Sequence, residues 1–336
     1  MTPPQRAPVP RNDRLVIEHL AQADERRDFL AAVAAGLAAH PKRIAPKFFY
    51  DAVGSGLFER ITDTPEYYPT RTEAALLERH GAEMLAAAGR PACLVELGSG
   101  SARKTRPLLE RMARDAPRVE YVPIDVSPAS LAALAEGLLA GVPRLAIHGL
   151  VGDYHQALQA LKARAATPKL FLFLGSSLGN YDLPGARALL ALVRGAMGPA
   201  DAFLLGLDRI KDPAVLHAAY NDAEGVTAAF NLNLLARINR ELGGHFDLAR
   251  FRHVAFYDGA ARRIEMHLES LASQTVAVDA LGQSYGFAPG ERLHTENSHK
   301  YDDATIAEVT AGAGLRVARR WTDERGWFED CLLTGA

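Results

Sequence analysis

The 336-residue chain predicts an α/β fold: a parallel sheet buried on both faces, joined to a second, discontinuous α+β domain. Three observations carry that prediction. Between residues 93 and 207, short apolar runs alternate with helical stretches, which calls for parallel strands linked by crossover helices. After residue 210 the alternation stops, and period-two patterning takes over between 251 and 278. It resumes only near the C-terminus, with one more helix and two strands.

Residues 1–15 are rich in proline and arginine and lack an apolar core, so a flexible tail is expected rather than a signal peptide or membrane anchor. An amphipathic helical stretch follows from Ile17 to Leu37, then an aromatic, turn-rich stretch from Phe48 to Tyr68. Strands are expected at Cys93–Leu97, Tyr121–Asp125, Leu145–Val151, Lys169–Leu174 and Ala202–Leu207. Helices from Thr105 to Arg114, Pro128 to Leu139, Gln156 to Arg164 and Pro184 to Met197 alternate with them. Strands this apolar suit a sheet covered on both faces. Val215 to Leu242 reads as helical, and runs starting at His253, Arg263 and Gln274 read as an antiparallel meander. Thr305–Ala313 is then a helix, with strands at Leu315–Trp321 and Trp327–Leu333. The expected sheet thus has seven strands and comprises residues 73–210 and 300–336. Residues 16–72 and 211–299 form the second domain.

Composition narrows the function. Lys plus Arg number 38 and Asp plus Glu 40, a net charge of −2, so no bulk field favours nucleic acid or anionic lipid. No run approaches the ~20 apolar residues needed to span a bilayer. Cys93 and Cys331 sit in apolar runs and are expected as buried thiols. The eleven histidines form no metal-binding spacing. These readings point to a soluble, cytoplasmic, metal-free monomer acting on a small molecule.

The chemistry centres on Glu96-Leu-Gly98-Ser-Gly100-Ser-Ala-Arg-Lys104-Thr105, between the first strand and its helix. Ligands of open α/β sheets bind above such strand ends. A dinucleotide fingerprint and a phosphate-binding P-loop each need glycine at 103, where this chain has Arg. Two readings remain, a tight turn with no ligand and the E-x-G-x-G loop of class I S-adenosylmethionine-dependent methyltransferases, and the surroundings favour the second. Asp125 closes the second strand, where a carboxylate can accept ribose hydroxyls. Asp153 and Tyr154 follow the third, where an acid and an aromatic ring can hold adenine.

Longer runs carry a resemblance. They are Lys47–Ile61, Pro65–Glu73, Phe173–Asn180, Tyr220–Asn231, Arg263–Met266 and Thr295–Tyr301. Together they resemble the histidine Nα-methyltransferases of ergothioneine biosynthesis, from about Leu30 to the C-terminus. The resemblance implies S-adenosylmethionine as cofactor and L-histidine as substrate, converted to its Nα-trimethyl derivative. It implies a substrate carboxylate held by Asn180 and Tyr220, and an amine positioned by Tyr50. Tyr67 would face the imidazole side, Glu296 and Ser298 would read the imidazole, and Met266 would pack nearby. On the cofactor side it implies Glu96, Gly98, Gly100, Lys104, Asp125, Asp153 and Tyr154. The family pattern often has Phe at position 154, and either ring can stack. A relative acting on another amine, such as a tryptophan derivative, is the alternative, against which Glu296 and Met266 speak. A silent cofactor-binding module is the reading from a different class.

The expected reaction is an in-line displacement at a sulfonium by an amine lone pair. An α-amino group with a pKa of about 8 supplies an unprotonated fraction without a strong base. Tyr50 is therefore expected to position the amine, and no general base is assigned.

Overall fold

The computed structural model describes residues 14–20, 25–162 and 168–336. Residues 1–13 of the expected tail, residues 21–24 of the helical stretch expected from Ile17, and the last two of the helix expected to end at Arg164 lie outside the described residues.

The chain opens with β1 (Leu15–His19), α1 (Glu25–Ala38) and the short β2 (Lys42–Arg43), followed by α2 (Ala52–Asp63) and α3 (Tyr68–Ala87). Alternation then begins: β3 (Cys93–Leu97), α4 (Arg106–Asp115), β4 (Val119–Asp125), α5 (Pro128–Gly141) and β5 (Leu145–Val151). It continues through α6 (Tyr154–Lys162), β6 (Lys169–Phe173), α7 (Leu183–Ala196) and β7 (Ala202–Asp208). The insertion supplies α8 (Pro213–Ala219), α9 (Val226–Leu242) and strands β8 (Phe251–Asp258), β9 (Arg263–Ser270) and β10 (Gln274–Val278). It closes with β11 (Gln283–Phe287) and β12 (Arg292–His299), before α10 (Asp303–Ala311), β13 (Leu315–Thr322) and β14 (Phe328–Gly335) complete the chain.

The main sheet runs β1-β5-β4-β3-β6-β7-β14-β13. The seven expected strands are joined by an eighth, because β1 pairs in parallel with β5 from Leu15↔Ile147 to His19↔Val151. Residues 15–19 thus belong to the main sheet, which corrects both the expected tail and the expected helix start. The run Leu-Val-Ile-Glu-His is β-branched at two positions and too short to hold a helical turn pattern.

Period-two burial sorts the central strands onto two cores. Val95, Leu97, Phe171, Phe173, Phe203 and Leu205 pack against the side carrying α6, α7 and α10. Leu94, Leu170, Leu172 and Leu204 face the side carrying α3, α4 and α5. Helices covering both faces explain why β3 and β7 are buried at every residue. Both cysteines are buried.

A third core gathers Phe29, Phe49, Tyr67, Phe230, Leu234, Ile264 and Leu293 from the N-terminal segment and the insertion. Its sheet runs β2-β12-β9-β8, while β10 and β11 form a separate hairpin. The expected meander is therefore corrected: β9 pairs with β12 instead of β10. The expected single helix Val215–Leu242 is two helices, since Asp222 caps α9 by accepting from Val226 and Thr227 N–H. Glu296 and Ser298 lie on β12, an inner strand missed in the sequence because its polar residues obscure the pattern.

Candidate active site

The carboxyl ends of β3, β4 and β5 carry the expected cofactor groups. Gly98 and Gly100 both have positive φ, 69° and 49°. At Gly98 there is also no room for a side chain, since a Cβ would sit 2.8 Å from the Tyr154 hydroxyl. The Tyr154 ring meets Phe173 edge-on at 5.7 Å and is kept a neutral phenol by burial. Asp125 accepts from the Gly100 N–H at 3.2 Å and the Ser127 N–H at 3.0 Å, one on each oxygen. Each oxygen keeps a lone pair for a further donor. Asp153 caps α6 through Gln156 N–H with one oxygen, and among the described residues no hydrogen bond holds the other.

Two expected cofactor residues instead hold the protein. The buried Glu96 carboxyl accepts from Thr105 Oγ1 at 2.6 Å and from the Tyr121 hydroxyl. Burial pushes its pKa up to about 7 against those two hydrogen bonds. It ties β3 to β4 and to the start of α4. The Lys104 ammonium pairs with the fully buried Glu73, whose carboxylate also accepts the Gly175 N–H at 2.8 and 2.9 Å. Lys104 thus fastens the glycine loop to the turn after β6. Both roles come from side-chain partners distant in sequence, which local spacing does not reveal.

Next to this loop lies a cavity that opens to solvent, with about 520 Å³ of atom-free space counting its open mouth. Tyr50, Tyr67, Asn180, Tyr220, Met266, Glu296 and Ser298, the seven expected substrate residues, all line it. Phe58 and Phe230 complete an aromatic wall, with Tyr50 edge-on to each at 5.7 and 5.8 Å. Asn180 ends the turn Ser177–Asn180, which presses on β12 so closely that a Cβ on Gly179 would sit 2.9 Å from His299 O.

A bulge aims the ring-reading pair. The β9–β12 register shifts between His294 and Glu296, so Thr295 is an extra residue. Without it Glu296 would share the outer face with His294. Instead His294 bonds Asn297 on that face, while Glu296 pairs across from Met266 and faces the cavity with Ser298. The Thr295 hydroxyl, bonded to Asn231 Oδ1 at 2.8 Å and Met266 O at 3.0 Å, holds the bulge in place.

The electrostatics are set by burial. Tyr50, Tyr67 and Tyr220 all have pKa values raised well above the ordinary phenol, chiefly by desolvation and secondarily by each other and Glu296. All three are neutral phenols. Burial pushes Glu296 up to about 7, with Lys300 pulling the other way. Beneath the cavity, Asp208 at the end of β7 accepts from Tyr68, Lys211 and Lys300. The Tyr220 hydroxyl donates to Ser298 Oγ at 2.7 Å. Asp208, Lys300, Thr295 and Phe58 were not singled out in the sequence. Lys300 could have been, since it stands in period-two step with Glu296 and Ser298.

Numbered without β1, the sheet order is third, second, first, fourth, fifth, seventh, sixth. With a glycine loop after the first strand and an acid closing the second, it defines a class I S-adenosylmethionine-dependent methyltransferase. The chain belongs to the histidine-specific, SAM-dependent methyltransferase family, whose pattern matches residues 29–335. It is 46% identical over 305 residues to the histidine N-alpha-methyltransferase of Mycolicibacterium smegmatis, covering 90% of this chain and 92% of that protein. The histidine N-alpha-methyltransferase of Mycobacterium tuberculosis is 43% identical, with 93% and 97% covered. Ergothioneine biosynthesis protein 1 of Neurospora crassa is 32% identical over 84% of this chain and 32% of that protein.

The residues present fit S-adenosylmethionine: two glycines of positive φ, a carboxylate with free lone pairs at each of two strand ends, and an apolar-backed ring. Among the described residues no group of three or more His, Cys, Asp or Glu is placed to hold a metal, and no helix is long and apolar enough to cross a membrane.

Proposed function

We propose that this methyltransferase converts L-histidine to Nα,Nα,Nα-trimethylhistidine in ergothioneine biosynthesis. The single observation that carries this reading is the placement of Glu296 and Ser298, side by side on one face of β12, in a cavity beside the glycine loop. A carboxylate acceptor and a hydroxyl match the two nitrogens of an imidazole. A substrate without those nitrogens leaves two buried polar groups unpaired, at about 1–3 kcal/mol each.

In this reading Gly98, Gly100, Asp125, Asp153 and Tyr154 hold S-adenosylmethionine, with Glu96 and Lys104 supporting the loop. The bound cofactor supplies an electrophilic methyl group on a sulfonium. Asn180 takes the substrate carboxylate. Tyr220, whose proton rests on Ser298, stands where the carboxylate and imidazole ends meet. Tyr50, kept a neutral phenol, accepts an amine hydrogen and orients the lone pair rather than acting as a base. Tyr67 and Met266 wall the ring. The aromatic wall of Tyr50, Phe58 and Phe230 suits an amine that gains cationic character as methyls accumulate.

Residues 73–210 with 300–336, together with β1, form the cofactor domain in this reading, and the remaining segments form the substrate domain. The near-balanced charge supports an enzyme of small molecules without nucleic acid or membrane partners, and a cytoplasmic monomer completes this reading. The test is mass spectrometry of the enzyme with S-adenosylmethionine and a panel of free amino acids. Three added methyls on histidine alone are expected. Methylation of tryptophan derivatives in preference to histidine would refute the assignment.

A further inference from the structure

Glu296, Ser298 and Lys300 stand in period-two step along and just past β12, so they form one row toward the cavity. The Lys300 ammonium is buried, and its three protons are accounted for. One goes to Asp208 Oδ2 at 2.8 Å, one to Ser298 Oγ at 2.8 Å and one to the Tyr220 hydroxyl oxygen at 3.3 Å. The Tyr220 hydroxyl in turn donates to Ser298 Oγ at 2.7 Å. That direction is the favoured one, because a phenol is a stronger acid than an alkyl alcohol. Ser298 Oγ therefore receives two donors, which fill the two lone pairs of a hydroxyl. An ammonium accepts nothing, so the Ser298 proton is turned away from Lys300 and toward the cavity. Among the described residues no hydrogen bond holds the Glu296 side chain, which leaves its oxygens to a ligand.

We propose that Lys300 is a positioning residue that locks Ser298 as a hydrogen-bond donor, so that Glu296 and Ser298 select the neutral form of the substrate's imidazole. The ring N–H faces Glu296 and the bare nitrogen faces Ser298. An imidazolium would aim a second N–H at a hydroxyl with no lone pair to spare. It would also bring a cation toward a buried ammonium that Asp208 already shares with Lys211. Among the described residues Glu296 is the one anion that faces the ring, and Lys300 offsets its charge; the phenols Tyr50, Tyr67 and Tyr220 that face the same space are neutral and add no negative charge. This inference rests on the histidine reading above.

Nitrogen-15 NMR of ring-labelled L-histidine, bound to the full-length enzyme with S-adenosylhomocysteine, reads the protonation of each ring nitrogen. The expected wild-type spectrum near neutral pH has one protonated and one bare nitrogen. Lys300→Met removes that ammonium, leaves Asp208 paired with Lys211 and frees a lone pair on Ser298. The bound ring is then expected to protonate on both nitrogens in mildly acidic buffer, with affinity for histidine reduced about tenfold. Affinity for S-adenosylhomocysteine should not change. Two protonated nitrogens in the wild-type complex overturn the proposal, as does a Lys300→Met enzyme that holds the same neutral ring with unchanged affinity. Should that variant not fold, Ser298→Ala gives the same decision: the single tautomer should be lost, and its retention overturns the proposal. Wild-type enzyme that binds S-adenosylhomocysteine but no histidine would instead overturn the histidine reading itself.

Discussion

Glu296 places one acceptor in a cavity where burial alone drives its pKa up to about 7. The acceptor form is the carboxylate, and its fraction grows as pH rises through that value. In the free enzyme, kcat/KM for histidine is therefore expected to rise with pH around neutrality, through Glu296 as well as through the substrate amine. Glu296→Gln should lower kcat/KM by about one to two orders of magnitude, in line with loss of a hydrogen bond to a charged group, and should remove that part of the rise. A pH profile with the same midpoint in both enzymes would rule this out. Glu296→Ala should weaken histidine use while sparing cofactor binding, measured by calorimetry with S-adenosylmethionine; unchanged histidine turnover would sink the assignment. Tyr50→Phe is a milder case, since it removes one amine contact and no charge. Its expected cost falls on kcat rather than on cofactor affinity.

At the scale of elements, the bulge at Thr295 decides which face of β12 meets the substrate. Strands alternate with period two, so one inserted residue moves every later side chain to the other face. Asn231 on α9 links this bulge to Met266 O through the Thr295 hydroxyl. Thr295→Val removes the single hydroxyl proton that these two oxygens share, at nearly constant volume. We expect KM for histidine to rise about tenfold, with S-adenosylmethionine affinity unchanged, because the lost contacts hold only the substrate strand. Steady-state kinetics with each substrate varied in turn separates the two. A matched loss of cofactor affinity would mean that the bulge supports the whole fold.

At the scale of the molecule, Asp208 joins the two parts of the protein. It ends the central strand β7 and receives Tyr68 from α3, Lys211 from the insertion and Lys300 from the end of β12. These groups are buried, so deleting the carboxylate strands two ammonium groups away from water. Asp208→Ala is expected to destabilise the fold by roughly 3–5 kcal/mol, as for other broken buried pairs. Urea unfolding measures this, and a loss below about 1 kcal/mol would show the network to be solvent-screened after all.

The central sheet was legible in the sequence because its strands are short, apolar and separated by helices, a pattern local enough to read. The glycine loop and the acids at strand ends were legible for the same reason. β1 was hidden, since a five-residue edge strand has no periodic context. β12 was hidden by the polar residues that make it useful. The long motifs pointed to the seven cavity residues, and the fold brings them to one wall from segments some 250 positions apart. What the sequence determined by itself was the class of fold, the cofactor loop and the family. Only the tertiary structure decided that Glu96 and Lys104 brace the loop, that a bulge turns Glu296 inward, and that Lys300 orients Ser298. Each of these depends on a partner across the fold, and hydrogen-bond direction is a property of contacts rather than of residue order.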